Sequence, residues 1–379
     1  MAQPVHILHL HSSFDLGGKE ARAVRLMAAF GDRARHTIVS GVPDALGARA
    51  AIPKGVRYEV AQDPPPLTGK PSVARYEAIA RFMRRFDLVL TYNWGAIDGV
   101  MAKRVFPKGT PPVVHHEDGF NEDEASGLNP IRNVYRRFAL GAAHALVVPS
   151  HILEKIALGT WKQPAMRVHR IANGIPVARY AQACSAKAIP GFVRRADEVV
   201  VGTLAGMRPV KDLPMLVRAV AGVVHARVRL VIVGEGPERP AIMDAAELNG
   251  MDDMVHLPGF LPDPWRYMGL FDIFALSSRS EQQPIAVMEA MAAGLPVVST
   301  PVGDIARMVA PENEPLISID HNPVHLRDRI QVMALDADAR RRIGAANQAQ
   351  ARALFDEDRM IAAYAALYAG AMGRPGILG

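Results

Sequence analysis

Apolar residues in the first half of the chain fall into short unbroken runs separated by stretches of helical spacing. Val5–Leu10 is a strand-like run that meets Gly17-Gly18, and Lys19–Phe30 then carries Ala, Val, Leu and Met at the spacing of a helix with one buried face. His36–Ser40, Leu88–Thr91, Val113–His116 and Ala145–Val148 repeat the strand pattern, and Ser72–Arg85 and Pro130–Leu140 repeat the helical one. Asp63-Pro64-Pro65-Pro66 is loop, because successive prolines fix φ and remove donors. The turn signal Asn173-Gly174, followed by Pro176, closes this half. Residues 176–197 have no firm period and read as a linker.

The alternation then restarts. Strands are expected at Glu198–Thr203, Arg229–Val233, Met254–Leu257, Asp272–Leu276 and Pro296–Ser299, with a weaker one at Pro315–Ile319. Helices are expected at Leu213–His225, Gln283–Ala293, Val324–Leu335 and Asp338–Ala369, the last broken near Phe355-Asp356. Strands alternating with helices predict an α/β protein with parallel sheets covered on both faces. The boundaries that follow are 1–175 for an N-terminal domain, 176–197 for the linker and 198–355 for a C-terminal domain. Residues 356–379 form a C-terminal helix packing back on the first domain. Ligands of such sheets sit beyond the carboxyl ends of the strands, where strand order reverses.

A chain of 379 residues with 49% apolar and 22% charged residues fits two ordinary globular domains. Its single cysteine, Cys184, excludes an intramolecular disulfide and a multi-thiolate zinc site. The N-terminus lacks the basic start and long apolar core of a signal peptide. No run reaches the ~18 apolar residues that span a bilayer. These features predict a cytoplasmic protein, peripheral at most at the inner face of the membrane. Residues 1–180 carry 24 Lys+Arg against 15 Asp+Glu, whereas the remainder carries 20 against 23. The basic half is suited to an anionic partner. Ser72–Arg85 (Arg75, Arg81, Arg84, Arg85) and Pro130–Leu140 (Arg132, Arg136, Arg137) would present it to a membrane surface. No nucleic-acid reading motif accompanies the charge, so no nucleic-acid partner is expected.

Four segments carry candidate chemistry, each at a strand-to-helix turn. In Ser277–Thr300 a strand ends, a polar turn follows and a helix starts near Pro284. The open N–H groups of its first turn, Ile285, Ala286 and Val287, form an anion site. Glu281 precedes the helix and Glu289 lies inside it. In Gly202–Leu213, Arg208 and Lys211 stand before a helix, where fixed cations suit a diphosphate. Gly17-Gly18 lets backbone approach a ligand closely. His115-His116-Glu117-Asp118, before Gly119 and the acidic stretch Asn121–Glu124, crowds titratable groups at the end of a strand. Alternate side chains there point to opposite faces, which argues against a metal.

The stretch Glu281–Val297 closely resembles the E-x7-E signature of retaining GT-B glycosyltransferases, the large family 4. Glu281 and Glu289 match its glutamates, and Glu289-Ala290-Met291-Ala292-Ala293-Gly294-Leu295-Pro296-Val297 matches its continuation. The resemblance implies two facing Rossmann-like domains with a cleft between them. It implies transfer of a sugar from a nucleotide diphosphate sugar, UDP-linked in preference to GDP-linked, to a glycan, lipid-linked or polysaccharide acceptor. It also implies no metal and no cofactor beyond the donor as substrate. Glu281 would hold donor-sugar hydroxyls, Glu289 the ribose, and the amides after Pro284 the diphosphate. Lys211 matches the family lysine that neutralises the leaving pyrophosphate. Gly206 falls where the family has an arginine, so Arg208 would supply that charge. Gly259-Phe260-Leu261 resembles the loop that contacts the base, and Gly17-Gly18 the glycine loop that faces the diphosphate. Asp118 stands where the family often has a histidine near the reacting carbon, so Asp118, His115 or His116 would do that work. Two alternatives accompany this reading: a catalytically silent sugar-nucleotide-binding subunit, supported by Gly206 and Asp118, and an epimerase or phosphorylase on the same fold.

Overall fold

The computed structural model describes residues 3–15, 17–120, 124 and 127–379. Leu16 of the glycine loop and Asn121, Glu122 and Asp123 of the acidic stretch therefore lie outside the described residues. The chain divides into two compact units, Met1–Asn173 with Asp358–Gly379, and Gly174–Glu357.

Among the described residues the first unit holds seven strands: β1 (Val5–His11), β2 (Ala34–Ser40), β3 (Tyr58–Val60), β4 (Leu88–Tyr92), β5 (Val113–His116), β6 (Ala145–Val148) and β7 (Val168–Arg170). They form one parallel sheet in the order β3-β2-β1-β4-β5-β6-β7. β4, β5 and β6 are buried at every position, as strands covered by helices on both faces must be. The connecting helices are α1 (Gly18–Phe30), α2 (Val73–Met83), α3 (Ile97–Val105), α4 (Pro130–Leu140) and α5 (His151–Gly159). Ser72, Asn129 and Ser150 cap α2, α4 and α5 by accepting first-turn N–H bonds, which fixes where these helices begin. β1 pairs with both β2 and β4, so strand order reverses beside it and places a switch point at His11 and Tyr92.

The second unit holds β8 (Glu198–Leu204), β9 (Arg227–Val233), β10 (Val255–Gly259), β11 (Ile273–Leu276) and β12 (Val297–Ser299), all parallel in the order β10-β9-β8-β11-β12. Its helices are α6 (Leu213–Ala221), α7 (Arg239–Leu248), α8 (Ile285–Ala292), the short α9 (Ile305–Met308), α10 (Pro323–Leu335) and α11 (Ala337–Leu354). The switch point here lies between β8 and β11. Finally α12 (Glu357–Ala371) carries Met360, Tyr364 and Tyr368 into the core of the first unit, against Ile7, Leu90 and Val114.

Two expectations are corrected. Residues 176–197 are not a linker: Val177, Tyr180, Ile189 and Phe192 are buried in the second unit's core with Phe271 and Met288. Widely spaced apolar anchors have neither a strand nor a helix period, so the pattern hides their burial. Pro315–Ile319 is not a strand. Pro311–Leu316 is a 3-10 helix, and only one bridge, Ser299 to Ile317, joins the segment to the sheet.

Candidate active site

In the second unit the switch point is built from the β8–α6 and β11–α8 turns. Gly234 (φ +146) and Gly236 (φ +153), beyond β9, set the first of these. A Cβ at Gly234 would lie 2.0 Å from the Ala205 carbonyl oxygen, and one at Gly236 2.4 Å from that of Met207. Only glycine lets the β9 turn wrap this closely around residues 205–207. Met207 N–H then bonds the Glu235 carbonyl at 2.8 Å, and Lys211 N–H the Arg208 carbonyl at 2.9 Å. Asp212 follows in the left-handed region (φ 43) and caps α6 through Met215 N–H at 3.3 Å. Its carboxylate is braced by Arg279 at 2.6 Å and by His321 at 3.4 Å. Strained backbone held in place by its surroundings is a feature of functional turns.

The two turns are stitched together. Arg279 N–H bonds the Val210 carbonyl at 2.8 Å, and Ser277 Oγ donates to the Lys211 carbonyl at 2.9 Å. On this frame Lys211 Nζ pairs with Glu281 Oε1, which also accepts from Ser278 Oγ at 2.7 Å. Arg208, in the same turn as Lys211, is exposed and has no carboxylate partner among the described residues. A Cβ built on Gly206 would lie 3.6 Å from Arg208 Nε, so the guanidinium occupies the space in front of residue 206. Pro284 is the N-cap of α8, with extended ψ of 123°. The Ile285 and Ala286 N–H groups have no acceptor among the described residues, whereas Val287 N–H turns back onto the Pro284 carbonyl at 3.2 Å. The open donors expected over Ile285–Val287 are thus the first two. The turn carrying Lys211 and Arg208 is thus hydrogen-bonded to the turn that leads into an open helix N-terminus, an arrangement suited to an anion.

Glu289, one turn into α8, is 8% exposed and accepts a 2.9 Å hydrogen bond from Tyr180 Oη. Tyr180 was not among the residues singled out from the sequence, because it falls in the stretch without a period. Gly259 (φ 87) ends β10; a Cβ there would meet Glu235 Oε1 at 2.8 Å. Phe260 is exposed at 58%, and the Leu261 carbonyl accepts from Tyr267 Oη at 3.2 Å.

The remaining candidates belong to the first unit. Gly17 and Gly18 are exposed and open α1; a Cβ at Gly17 would lie 2.8 Å from Glu20 Oε2, the movable end of a side chain, and the Gly17 backbone is extended (φ −147), so the turn does not demand glycine there. Glu20 is buried and pairs with Lys19. Burial raises its pKa, and the Lys19 charge offsets only part of that. Asp118, after β5, binds Arg22 of α1 through both oxygens, one contact being 2.8 Å. Arg22 is 3% exposed and also donates to Asn173 Oδ1 at 2.9 Å. Burial alone would raise the Asp118 pKa, but the Arg22 charge and hydrogen bonds outweigh it and hold the group ionised, below the ordinary aspartate value. Asn93 (φ 58) receives the Asp118 N–H on its Oδ1 at 2.8 Å.

His116 lies inside the first unit. It is 1% exposed; its Nδ1 faces the Thr91 carbonyl at 3.1 Å and its Nε2 meets Tyr368 Oη at 2.7 Å. Burial, with Arg22 adding to it, lowers its pKa to about 3, so the ring is neutral with both nitrogens occupied. His115 is equally buried, on the other face, bonded to Thr91 Oγ1 at 2.7 Å. Both faces of this parallel strand are covered, which the crowd of titratable residues concealed. Arg22, 96 residues from Asp118, gave no local signal.

Against this geometry stand the comparisons with known proteins. The family described as Glycosyltransferase Family 4 matches residues 4–179, and that described as Glycosyl transferases group 1 matches residues 198–336. D-inositol 3-phosphate glycosyltransferase of Saccharomonospora viridis is 26% identical over 278 residues, 67% of this chain and 63% of that protein. N-acetyl-alpha-D-glucosaminyl L-malate synthase of Bacillus anthracis is 21% identical over 250 residues, 64% of each chain. The chain thus spans under two thirds of the length of these curated relatives. The crystal structure of Anabaena Alr3699/HepE in complex with UDP superimposes with a TM-score of 0.75 at 21% identity, covering 95% of this chain and 98% of that one.

Proposed function

The chain belongs to the glycosyltransferases of group 1 and family 4, and from that membership we propose that it moves a sugar from a UDP-linked donor to a carbohydrate or lipid-linked acceptor hydroxyl with retention at the anomeric carbon. Its two α/β units share the GT-B architecture of the matched structures. The observation that carries the proposal is the second unit's switch point, where the turn bearing Lys211 and Arg208 is hydrogen-bonded to the turn that leads to the open Ile285 and Ala286 amides. A diphosphate is the ligand whose charge and oxygens use all of them. The UDP bound to the similar HepE structure supports uridine as the nucleotide.

Without donor, Lys211 is held by Glu281. With donor, Lys211 transfers to the phosphate, and Glu281, still held by Ser278, accepts hydrogen bonds from the sugar. Glu289, oriented by Tyr180, accepts from the ribose. In the reaction the bond from C1 to the β-phosphate oxygen breaks and the acceptor oxygen bonds C1 on the same face. The acceptor proton passes to the leaving diphosphate. Developing negative charge falls on the oxygens nearest Lys211, Arg208 and α8, where fixed cations and amides stabilise it most.

Nucleotide release from UDP-, GDP- and ADP-sugars, followed with glycan and lipid-linked acceptors, tests this. Release from a UDP-sugar is expected, falling roughly 10²–10³-fold in kcat for Lys211→Ala. Tight donor binding with no transfer or hydrolysis would instead identify a silent binding subunit.

A further inference from the structure

The amphipathic helix α4 leaves one stripe uncovered. Ile131 is 81% exposed, Val134 70% and Phe138 55%, although each is large and apolar. At positions i, i+3 and i+7 they share one side of the helix. Phe138 continues into a groove of about 540 Å³ lined by Lys103, Arg104, Val105, Pro107, Gly141 and Ala142. Val105, on its rim, is 43% exposed. The Arg104 guanidinium lies 3.9 Å over the Phe138 ring. Beyond Pro107 come exposed Lys108 and Gly109, against which Arg84 packs, its Cδ 3.8 Å from a Cβ built on Gly109.

The charges around this stripe differ from four other arginines of α2 and α4. Arg75 is tied to Asp98, Arg81 to Glu77, and Arg132 and Arg136 to Glu124. These four, read from the sequence as membrane-facing, are internally neutralised, and Arg136 is buried. Arg84, Arg104, Lys108 and Arg137 are exposed, and among the described residues none has a carboxylate within ion-pair distance. Arg84, Arg104, Lys108 and Arg137 therefore stand uncompensated beside large apolar side chains left in water. Either feature alone is ordinary; together they match a surface that carries negative charge at its face and hydrocarbon just beneath it.

We propose that the first unit docks on anionic phospholipid bilayers through the Ile131–Val134–Phe138 stripe of α4, with Arg84, Arg104, Lys108 and Arg137 on the headgroups. The stripe enters the interface while Arg104, stacked on Phe138, keeps its charge among the phosphates. α2, whose Arg75 and Arg81 are paired, contributes only its terminal Arg84. The proposal stands on the first unit alone and needs no donor or transfer chemistry.

Flotation with phosphatidylcholine vesicles, with and without 30 mol% phosphatidylglycerol, tests it. The full chain is expected to float with the anionic vesicles at low salt, and much less with phosphatidylcholine alone or at 0.5 M salt, where charges are screened. Arg104→Gln and Arg137→Gln are each expected to lower partitioning about fivefold. Ile131→Ser/Val134→Asn is expected to lower it at least tenfold at low salt. All are exposed positions, so an unchanged melting temperature and unchanged UDP-dependent shift should accompany the loss. No flotation of the parent protein at low salt overturns the proposal, as does binding indifferent to both kinds of variant. A stripe variant that dissolves a dimer while the parent ignores vesicles assigns the face to a second copy instead, and equally overturns it.

Discussion

Removing the Asp118 carboxylate should cost stability before anything else, because it strands a buried cation. Arg22 is 3% exposed, and the Asp118 side chain 13%. In Asp118→Ala the guanidinium keeps Asn173 Oδ1 at 2.9 Å and the Tyr364 ring at 5.5 Å, but no counter-charge. Breaking a buried pair from one side costs about 3–5 kcal/mol. Partial exposure of Asp118 and the contacts that remain place this case near the lower figure, about 3 kcal/mol. For a domain of 150–250 residues that is a fall of roughly 6–12 °C in melting temperature. Differential scanning calorimetry reads the shift directly, and Trp94 and Trp161 report on the first unit by fluorescence. Arg22→Met/Asp118→Leu, which removes both charges at similar bulk, should recover to within about 1 kcal/mol of the parent. Asp118→Ala within that margin of the parent would refute the reasoning, since the pair would then contribute nothing net. If Asp118 only positions α1 and the β5 turn, the double variant should also retain donor turnover well below its melting temperature.

Three further outcomes are expected. Burial holds the His36 pKa at about 4 and that of His116 at about 3, below the unfolded value of ~6.5, so the unfolded chain binds more protons and stability falls as pH drops through this window. Each histidine should remove roughly 1.4 kcal/mol per pH unit between pH 6.5 and its folded pKa, and a urea midpoint flat from pH 7 to 4.5 would contradict this. Arg208→Ala should weaken UDP binding about tenfold, and Gly206→Arg in that background should restore part of it, because the space before residue 206 is open once Arg208 is gone. Calorimetric titration checks both, and no effect of Arg208→Ala would remove it from the site. Tyr180→Phe leaves Glu289 short of its 2.9 Å donor and should raise the UDP dissociation constant about tenfold, as losing a charge-assisted hydrogen bond does.

The parts of this molecule legible from sequence are those decided within a few residues. The Glu281–Val297 turn and helix read correctly because the strand end, Pro284 and the apolar α8 are contiguous. The reversal that makes it a switch point needs the pairing of β8 with both β9 and β11, which no local pattern carries. The partners that orient the site were invisible for the same reason: Tyr180 is 109 residues from Glu289, and Arg22 is 96 from Asp118. The helices α3, α5 and α7, of nine or ten residues, were not read from the sequence, although the equally short α6 and α8 were. His115 and His116 showed residue type but not burial: a parallel strand covers both of its faces, which no local pattern displays. Charge was legible as a total and not as a pattern. The arginines of Ser72–Arg85 and Pro130–Leu140 look alike in sequence, and only pairing separates Arg75, Arg81, Arg132 and Arg136 from Arg84, Arg85 and Arg137.

The most direct test of the central claim is a crystal of the protein soaked with UDP. The account predicts diphosphate density within hydrogen-bond reach of Lys211 Nζ and the Ile285 and Ala286 amides, with Lys211 drawn off Glu281 and the ribose on Glu289. Density elsewhere, or a Lys211–Glu281 pair left intact beside bound nucleotide, would contradict it.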